Sequence, residues 1–258
     1  MILCTEVAFK SAGTLGRRSD PYREYSACEP RDQRLTGYFS GSSAIFPSLL
    51  KQTSVHESHS FKDPPSSGQP SHLLHAGASD HPLGGLGFAR WAFEVVKQEK
   101  ELGVFFDTII VCAVTGSTFA GMIAGFKYIE LKMNSAKRRV IGIDTSAKVQ
   151  ETREQVLRIA KFTSVKIGLE DRDITEGDME LDERYHDGYY GILGERTKEA
   201  MRFGAETEGF ITDSVYEGKS LAGLMDLARS GEIREGSQVL YAHLEGQLAL
   251  NAYSGLFE

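Results

Sequence analysis

Residues 107–124 read Asp-Thr-Ile-Ile-Val-Cys-Ala-Val-Thr-Gly-Ser-Thr-Phe-Ala-Gly-Met-Ile-Ala. Asp107 to Val114 carries a continuous apolar run of the length of a buried strand, rich in β-branched side chains. Thr115-Gly116-Ser117-Thr118 then turns the chain, and Phe119 to Ala124 opens a helix. A fully apolar strand that runs into a helix through a glycine turn marks a parallel sheet covered on both faces, because an antiparallel strand with one wet face would alternate.

The pattern extends in both directions from this stretch. Upstream, Phe88, Trp91, Ala92, Val95 and Leu102 recur at helical spacing, and Gly103 supplies a stop. Downstream, Arg139 to Asp144 predicts a second strand, and Thr152 to Ile167 a helix with Val156, Ile159, Ala160 and Thr163 on one face. Thr197 to Thr207 and Leu221 to Arg229 predict further helices, and Ser237 to His243 a last strand. Strands alternating with helices give an α/β fold on a mostly parallel sheet. No internal repeat is present.

The first part of the chain is different. Residues 1–73 hold 13 serines and six of the seven prolines, without sustained apolar periodicity, so they are expected to be disordered and the folded part to span 74–258. The net charge is −7, and residues 77–258 carry 21 basic against 29 acidic side chains, which disfavours nucleic acid as a partner. Cys4, Cys28 and Cys112 are odd in number and widely spaced, which argues against a disulfide framework. Neither a secretory leader nor an apolar stretch long enough to span a membrane is legible, so a cytoplasmic location is expected. No metal-ligand pattern stands out.

The candidate site begins at the hydroxyl-rich turn. Parallel sheets bind ligands at the carboxyl ends of their strands, and a helix N-terminus there offers free N–H groups and a positive dipole end. Gly116 would let backbone approach a phosphate, with Thr115, Ser117 and Thr118 adding hydroxyls; a serine- and threonine-rich helix cap without a ligand reads equally well from these residues alone. A strand, a glycine turn, a helix and a second strand ending in Asp144 also sketch a dinucleotide-binding unit, although G-x-G-x-x-G is absent.

A longer set of motifs narrows the choice. Ala76-Gly77-Ala78-Ser79-Asp80-His81-Pro82-Leu83-Gly84-Gly85-Leu86-Gly87-Phe88 resembles the segment that opens the second half of 1-aminocyclopropane-1-carboxylate (ACC) deaminases. Thr152-Arg153-Glu154-Gln155, Leu181-Asp182-Glu183-Arg184, Thr212-Asp213-Ser214-Val215-Tyr216-Glu217-Gly218-Lys219-Ser220, Tyr241-Ala242-His243-Leu244 and Ala249-Leu250-Asn251 follow in that family's order. The chain is thus similar to the C-terminal part of the ACC deaminase and D-cysteine desulfhydrase family, pyridoxal-phosphate enzymes of fold type II, related to the tryptophan synthase β subunit. The resemblance implies that Thr115, Gly116, Ser117 and Thr118 hold the phosphate of pyridoxal 5'-phosphate and that Glu217, expected on a loop, faces the pyridine nitrogen. Tyr190 and Tyr216 match two active-site tyrosines. A phenol exchanges protons near neutrality only if cationic neighbours lower its pKa. His243 is expected to be a packed core histidine and His81 to order a loop. A small amino-acid substrate and a homo-oligomer are implied as well.

The departures matter as much. The family's Gly-Gly-Asn-Lys motif, with the Schiff-base lysine, and its Ser-Asn-Gln motif have no counterpart in residues 1–73, where Lys10, Lys51 and Lys62 stand in other contexts. His-Leu-Gly-Gly is here His243-Leu244-Glu245-Gly246, with a glutamate where backbone would approach the ring; Leu193-Gly194-Glu195-Arg196-Thr197 replaces Pro-Asn-Glu-Gly-Thr, and Ser214 replaces a proline. The expectation is an ACC deaminase homologue that is inactive as this chain and binds pyridoxal phosphate weakly or not at all. The alternatives are a D-cysteine desulfhydrase-like lyase and a non-catalytic remnant serving as a binding module.

Overall fold

The computed structural model describes residues 3–4, 80–244, 246–253 and 255. The elements, in chain order, are β1 (Leu3–Cys4), α1 (Leu86–Leu102), β2 (Thr108–Ala113), α2 (Ser117–Met133), β3 (Arg139–Asp144), α3 (Val149–Lys166), β4 (Glu180–Asp182), α4 (Glu195–Phe203), α5 (Glu217–Arg229) and β5 (Val239–Tyr241). They build one sheet in the order β1-β5-β2-β3-β4. β5, β2, β3 and β4 run parallel, and β1 pairs antiparallel with β5, Leu3 opposite Tyr241.

The alternation of side chains along β2 explains the layers. Ile109, Val111 and Ala113 point into a core made with Trp91, Ala92 and Val95 of α1, Phe119 and Met122 of α2, and Val156 and Ile159 of α3. Ile110 points the other way, with Ile141 and Ile143 of β3 and Tyr241 of β5, against Ala200 of α4 and Leu221, Leu224 and Met225 of α5. Both faces of the sheet are therefore dry, which is why β2 needs apolar residues at every position rather than at alternate ones.

The amino-terminal edge of the sheet is tied by a buried ion pair. Arg138, just before β3, donates to the Glu99 carboxylate at 2.5 Å, and both side chains are nearly inaccessible. Glu99 also accepts from the Phe106 N–H at 2.7 Å, and Arg138 Nε donates to the Phe106 carbonyl at 3.1 Å. The guanidinium stacks over Phe105 and Phe126, 4.3 and 4.9 Å from the ring centroids. The end of α1 and the entries to β2 and β3 are thus locked together.

Several expectations shift. α5 starts at Glu217 instead of Leu221, so Glu217 lies in the first turn of a helix and not on a loop. Asp213 braces the approach to this start: its carboxylate accepts from the N–H groups of Val215 and Tyr216, each at 2.7 Å, and of Glu217 at 2.9 Å. β4 was not foreseen: three residues are too few to display alternation. Within the stretch 1–73, Leu3–Cys4 forms a strand, and the remainder of that stretch lies outside the described residues, as does Glu245. Among the described residues, no helix is long and apolar enough to cross a membrane.

Candidate active site

The chain leaves β2 toward α2 on one face of the sheet and pairs β3 on one side, while β5, reached through α4 and α5 on the opposite face, pairs on the other side. The carboxyl ends of β2 and β5 therefore flank a topological switch point, where open parallel sheets form their ligand crevice.

Over the end of β2, Gly116 caps α2 at φ 85°, in the left-handed region. A Cβ on Gly116 would stand 2.6 Å from Val156 Cγ2, so a side chain is excluded by space as well as by conformation. The first intrahelical bond runs from the Ala120 N–H to the Gly116 carbonyl at 2.8 Å, and the N–H groups of Ser117 and Thr118 come before it at the positive end of the helix. Thr115 is exposed, and Ser117 and Thr118 are half-buried. Beneath the turn, Thr152 Oγ1 donates to the Val114 carbonyl at 3.3 Å and lies 2.8 Å from Ser146 Oγ, which donates to Asp144 at 2.7 Å. Asp144 is fully buried in this network, so it presents no carboxylate to a ribose. The dinucleotide reading loses its acid, and a single-phosphate cup keeps all its parts.

Over the end of β5 sits Glu217, with 3% of its surface exposed. The Leu244 N–H donates to Glu217 Oε1 at 3.3 Å, and the Tyr241 hydroxyl lies 3.2 Å from Oε2 and 2.7 Å from the Glu217 main-chain carbonyl. Burial pushes its pKa from 4.5 up to about 8, the Asp213 charge adds to this, and the hydrogen bonds oppose it. Such an acid holds its proton near neutrality unless a cationic or strongly donating group is placed beside it.

Tyr216, immediately before α5, is half-buried, and Tyr190, on the loop between β4 and α4, is 52% exposed. Their hydroxyls are in hydrogen-bond contact, with the rings inclined at 60° and 6.1 Å apart. Desolvation raises the Tyr216 pKa strongly, and the Tyr190 hydroxyl, Cys112 and Asp213 raise it further. The cationic lowering expected from the sequence is replaced by its opposite, because the neighbours are a phenol, a thiol and an acid. Burial and these neighbours keep the Tyr216 phenol protonated, with the Tyr190 hydroxyl as its hydrogen-bond partner.

The seven residues selected from the sequence thus gather in two groups on neighbouring strand ends. Sequence reasoning passed over Cys112, on the α5 side of β2 and close enough to Glu217 for that charge to raise its thiol pKa after desolvation. Period-two alternation along β2 was the available signal. It also assigned no role to Lys219, which is fully buried on α5. His243 is buried, with Nε2 2.9 Å from the Ile211 carbonyl, and His81 Nδ1 accepts from the Leu83 N–H at 3.2 Å, a core and a loop role as expected. Among the described residues, no cluster of three or more His, Cys, Asp or Glu is arranged to hold a metal ion.

Residues 51–245 match the family described as pyridoxal-phosphate dependent enzyme, a match that begins ahead of the compositional boundary at residue 74. The chain is 53% identical over 197 residues to a probable ACC deaminase of Cryptococcus neoformans, covering 76% of this chain and 55% of that protein. It is 57% identical over 182 residues to the ACC deaminase of Ralstonia nicotianae, covering 70% of this chain and 52% of that one. Identity is 56% over 183 residues with the enzyme of Pseudomonas syringae pv. tomato, covering 71% and 52% respectively. A crystal structure of an ACC deaminase homologue superposes with a TM-score of 0.54 at 30% identity, covering 64% of this chain and 46% of the other. The chain spans about half the length of the curated relatives it matches.

Proposed function

Because this chain belongs to the pyridoxal-phosphate dependent enzyme family, in the branch of the ACC deaminases, we propose that it forms the phosphate- and pyridine-binding part of an ACC deaminase. The reaction would take 1-aminocyclopropane-1-carboxylate and water to 2-oxobutanoate and ammonia. The observation that carries this reading is the buried Glu217 at the end of β5, beside a β2 turn with a helix N-terminus aimed out of the sheet.

The donor set fits pyridoxal phosphate. A phosphate would accept from the N–H groups and hydroxyls of residues 115–118, where Gly116 leaves no Cβ in the way. A pyridine nitrogen beside Glu217 would receive the proton that this acid holds up to about pH 8, and the ion pair would offset the desolvation of both groups. When bound, the cofactor supplies an electron sink at the substrate carbon. Tyr216 and Tyr190 would then present a hydrogen-bonded pair of hydroxyls at the substrate side, with Tyr216 holding its proton firmly.

Neither Gly-Gly-Asn-Lys nor Ser-Asn-Gln occurs in the 258 residues. We therefore expect these residues by themselves to bind the cofactor weakly and non-covalently, and to turn over no substrate. The test is equilibrium binding of pyridoxal phosphate to the purified chain, with inorganic phosphate as competitor, followed by borohydride reduction and ammonia assays on ACC and on D-cysteine. Weak saturable binding relieved by phosphate supports the reading. No binding at any concentration would remove the cofactor assignment. Stoichiometric labelling of one lysine with ammonia release would remove the expectation of inactivity, and sulfide release from D-cysteine would move the chain to the sister activity.

A further inference from the structure

Among the described residues, Lys219 is the only lysine in the set of largest side chains with less than 2% of their surface exposed. It lies in the first turn of α5, three residues after Tyr216 and two after Glu217. Its Nζ donates to the His186 main-chain carbonyl at 2.9 Å and pairs with Asp187 Oδ2 at 3.4 Å. Burying an ammonium is expensive, and desolvation lowers its pKa against the pull of Asp187. A lysine is retained under such a cost where its contacts fix something that an apolar side chain would leave loose.

What those contacts fix is the loop that carries Tyr190. Asp187 has φ 56°, in the left-handed region that few non-glycine residues adopt and that a locally hydrogen-bonded aspartate tolerates. Its Oδ2 also accepts from the Gly194 N–H at 3.2 Å and lies 3.5 Å from Thr197 Oγ1. The fit is close: a Cβ on Gly194 would stand 2.2 Å from Asp187 Oδ1. The Asp187 carboxylate thus closes residues 187–197 into a ring, and Lys219 anchors that ring to α5. Tyr190 sits within it, and the far side is tethered by the Tyr253 hydroxyl, which donates to the Gly191 carbonyl at 2.6 Å.

We propose that Lys219 is the positioning residue of the tyrosine pair: by anchoring His186 and Asp187 to the helix turn that begins beside Tyr216, it sets the Tyr190 hydroxyl against the Tyr216 hydroxyl. Tyr190 is half exposed and lies on a loop with little packing of its own, so this register cannot come from burial. One helix turn then carries the pyridine-facing acid and the clamp for a tyrosine 26 residues earlier in the chain than Tyr216. The value of this clamp for turnover rests on the proposed deaminase reading, but its existence does not.

The test uses the 258-residue chain without cofactor or substrate, so its outcome is independent of whether the chain binds pyridoxal phosphate. Fluorotyrosine is incorporated, the Tyr190 and Tyr216 fluorine resonances are assigned with Tyr190→Phe and Tyr216→Phe, and each is titrated. In the parent chain Tyr216 should ionise above the ordinary tyrosine value of 10. Lys219→Met should lower the Tyr216 midpoint to the position it has in Tyr190→Phe, and should sharpen the Tyr190 resonance toward that of a mobile side chain. Chymotryptic cleavage after Tyr189 or Tyr190 should quicken at least tenfold. Adding Tyr190→Phe to Lys219→Met should shift Tyr216 no further, and Lys219→Arg should restore most of the parent behaviour. If Lys219→Met fails to fold, Asp187→Ala removes the other end of the same clamp and is read in the same way. A variant that loses thermal stability while the Tyr216 titration and the Tyr190 cleavage stay unchanged would overturn the proposal and leave Lys219 a packing residue.

Discussion

Glu217 offers the sharpest test of the site's electrostatics, through Glu217→Gln. The folded state holds the Glu217 proton more tightly than the unfolded chain does, with a pKa raised from 4.5 to about 8. By linkage this contributes stability that is fully present below about pH 4.5 and is lost as pH rises through about 8. At about 1.4 kcal/mol per pH unit, the loss approaches ~5 kcal/mol at high pH and ~3 kcal/mol by pH 7. Water penetration and relaxation around the buried carboxylate reduce these ceilings, so about 1–3 kcal/mol at pH 8 is the expected effect. Glutamine keeps the shape, accepts from the Leu244 N–H and never ionises. Glu217→Gln should therefore match the parent near pH 4.5 and exceed it at pH 8. Urea unfolding at both pH values, followed by the single tryptophan Trp91 in the core of α1, reads this directly. The difference between variant and parent across pH removes the contribution of the other titrating groups. A difference that is the same at both pH values, or a glutamine variant less stable at pH 8, would refute the claim that burial dominates here. The same variant should bind pyridoxal phosphate at least tenfold more weakly, which would make Glu217 a residue whose cost in stability is tied to its function.

Gly116→Ala should destabilise the chain by about 2 kcal/mol, from left-handed strain and contact with Val156, and should weaken competition by inorganic phosphate; adding Val156→Ala should recover the steric part alone in denaturant midpoints. Glu99→Ala leaves Arg138 buried without its partner and should cost about 3–5 kcal/mol, read by thermal unfolding. Cofactor affinity of the folded fraction should be unchanged, because that pair lies at the amino-terminal edge of the sheet.

The physical reach of each signal decides what the sequence made legible. β3 was expected over Arg139–Asp144 and is found there, and β2 fits inside its expected Asp107–Val114, because a doubly covered strand must be apolar throughout and glycine or charge bounds it. α5 was misjudged at its start. Glu217, Gly218, Lys219 and Ser220 look like loop residues by type, yet all four are buried in the helix. Their burial depends on partners far away in sequence: Tyr241 and Leu244 for Glu217, and His186 and Asp187 for Lys219. A single sequence carries periodicity within an element but no record of which distant group will satisfy a buried charge. The Glu99–Arg138 pair, 39 residues apart, escaped for the same reason.

The site inherits this division. The phosphate turn was readable locally, since strand, glycine, hydroxyls and helix follow one another without a gap, and what remained open was whether Asp144 made it a dinucleotide site. Burial bears on that question: Asp144 is enclosed by the fold, so neither Oδ1, which accepts from Ser146, nor the unpartnered Oδ2 reaches the surface to meet a ligand hydroxyl. The proposed pyridine contact was not readable locally at all. By residue type Glu217 is a surface acid, and only the resemblance gave it a role. The structure supplies a physical basis for its raised pKa in burial over the end of β5, beside Asp213, whose carboxylate braces the start of the helix. Asp213 thus does two things at once. Its hydrogen bonds brace the start of α5, and its charge, after desolvation, raises the Glu217 pKa. Asp213→Asn separates them in large part, since the amide oxygen can still accept from the Val215 and Tyr216 N–H groups, losing only the bond from Glu217 N–H, while the charge is gone. The Glu217 pKa should then fall but remain above 4.5, because burial is the larger cause. A Glu217 pKa that returned fully to the ordinary value, measured by carbon NMR of the labelled carboxyl, would mean that the neighbouring charge and not burial sets the proton affinity of this site.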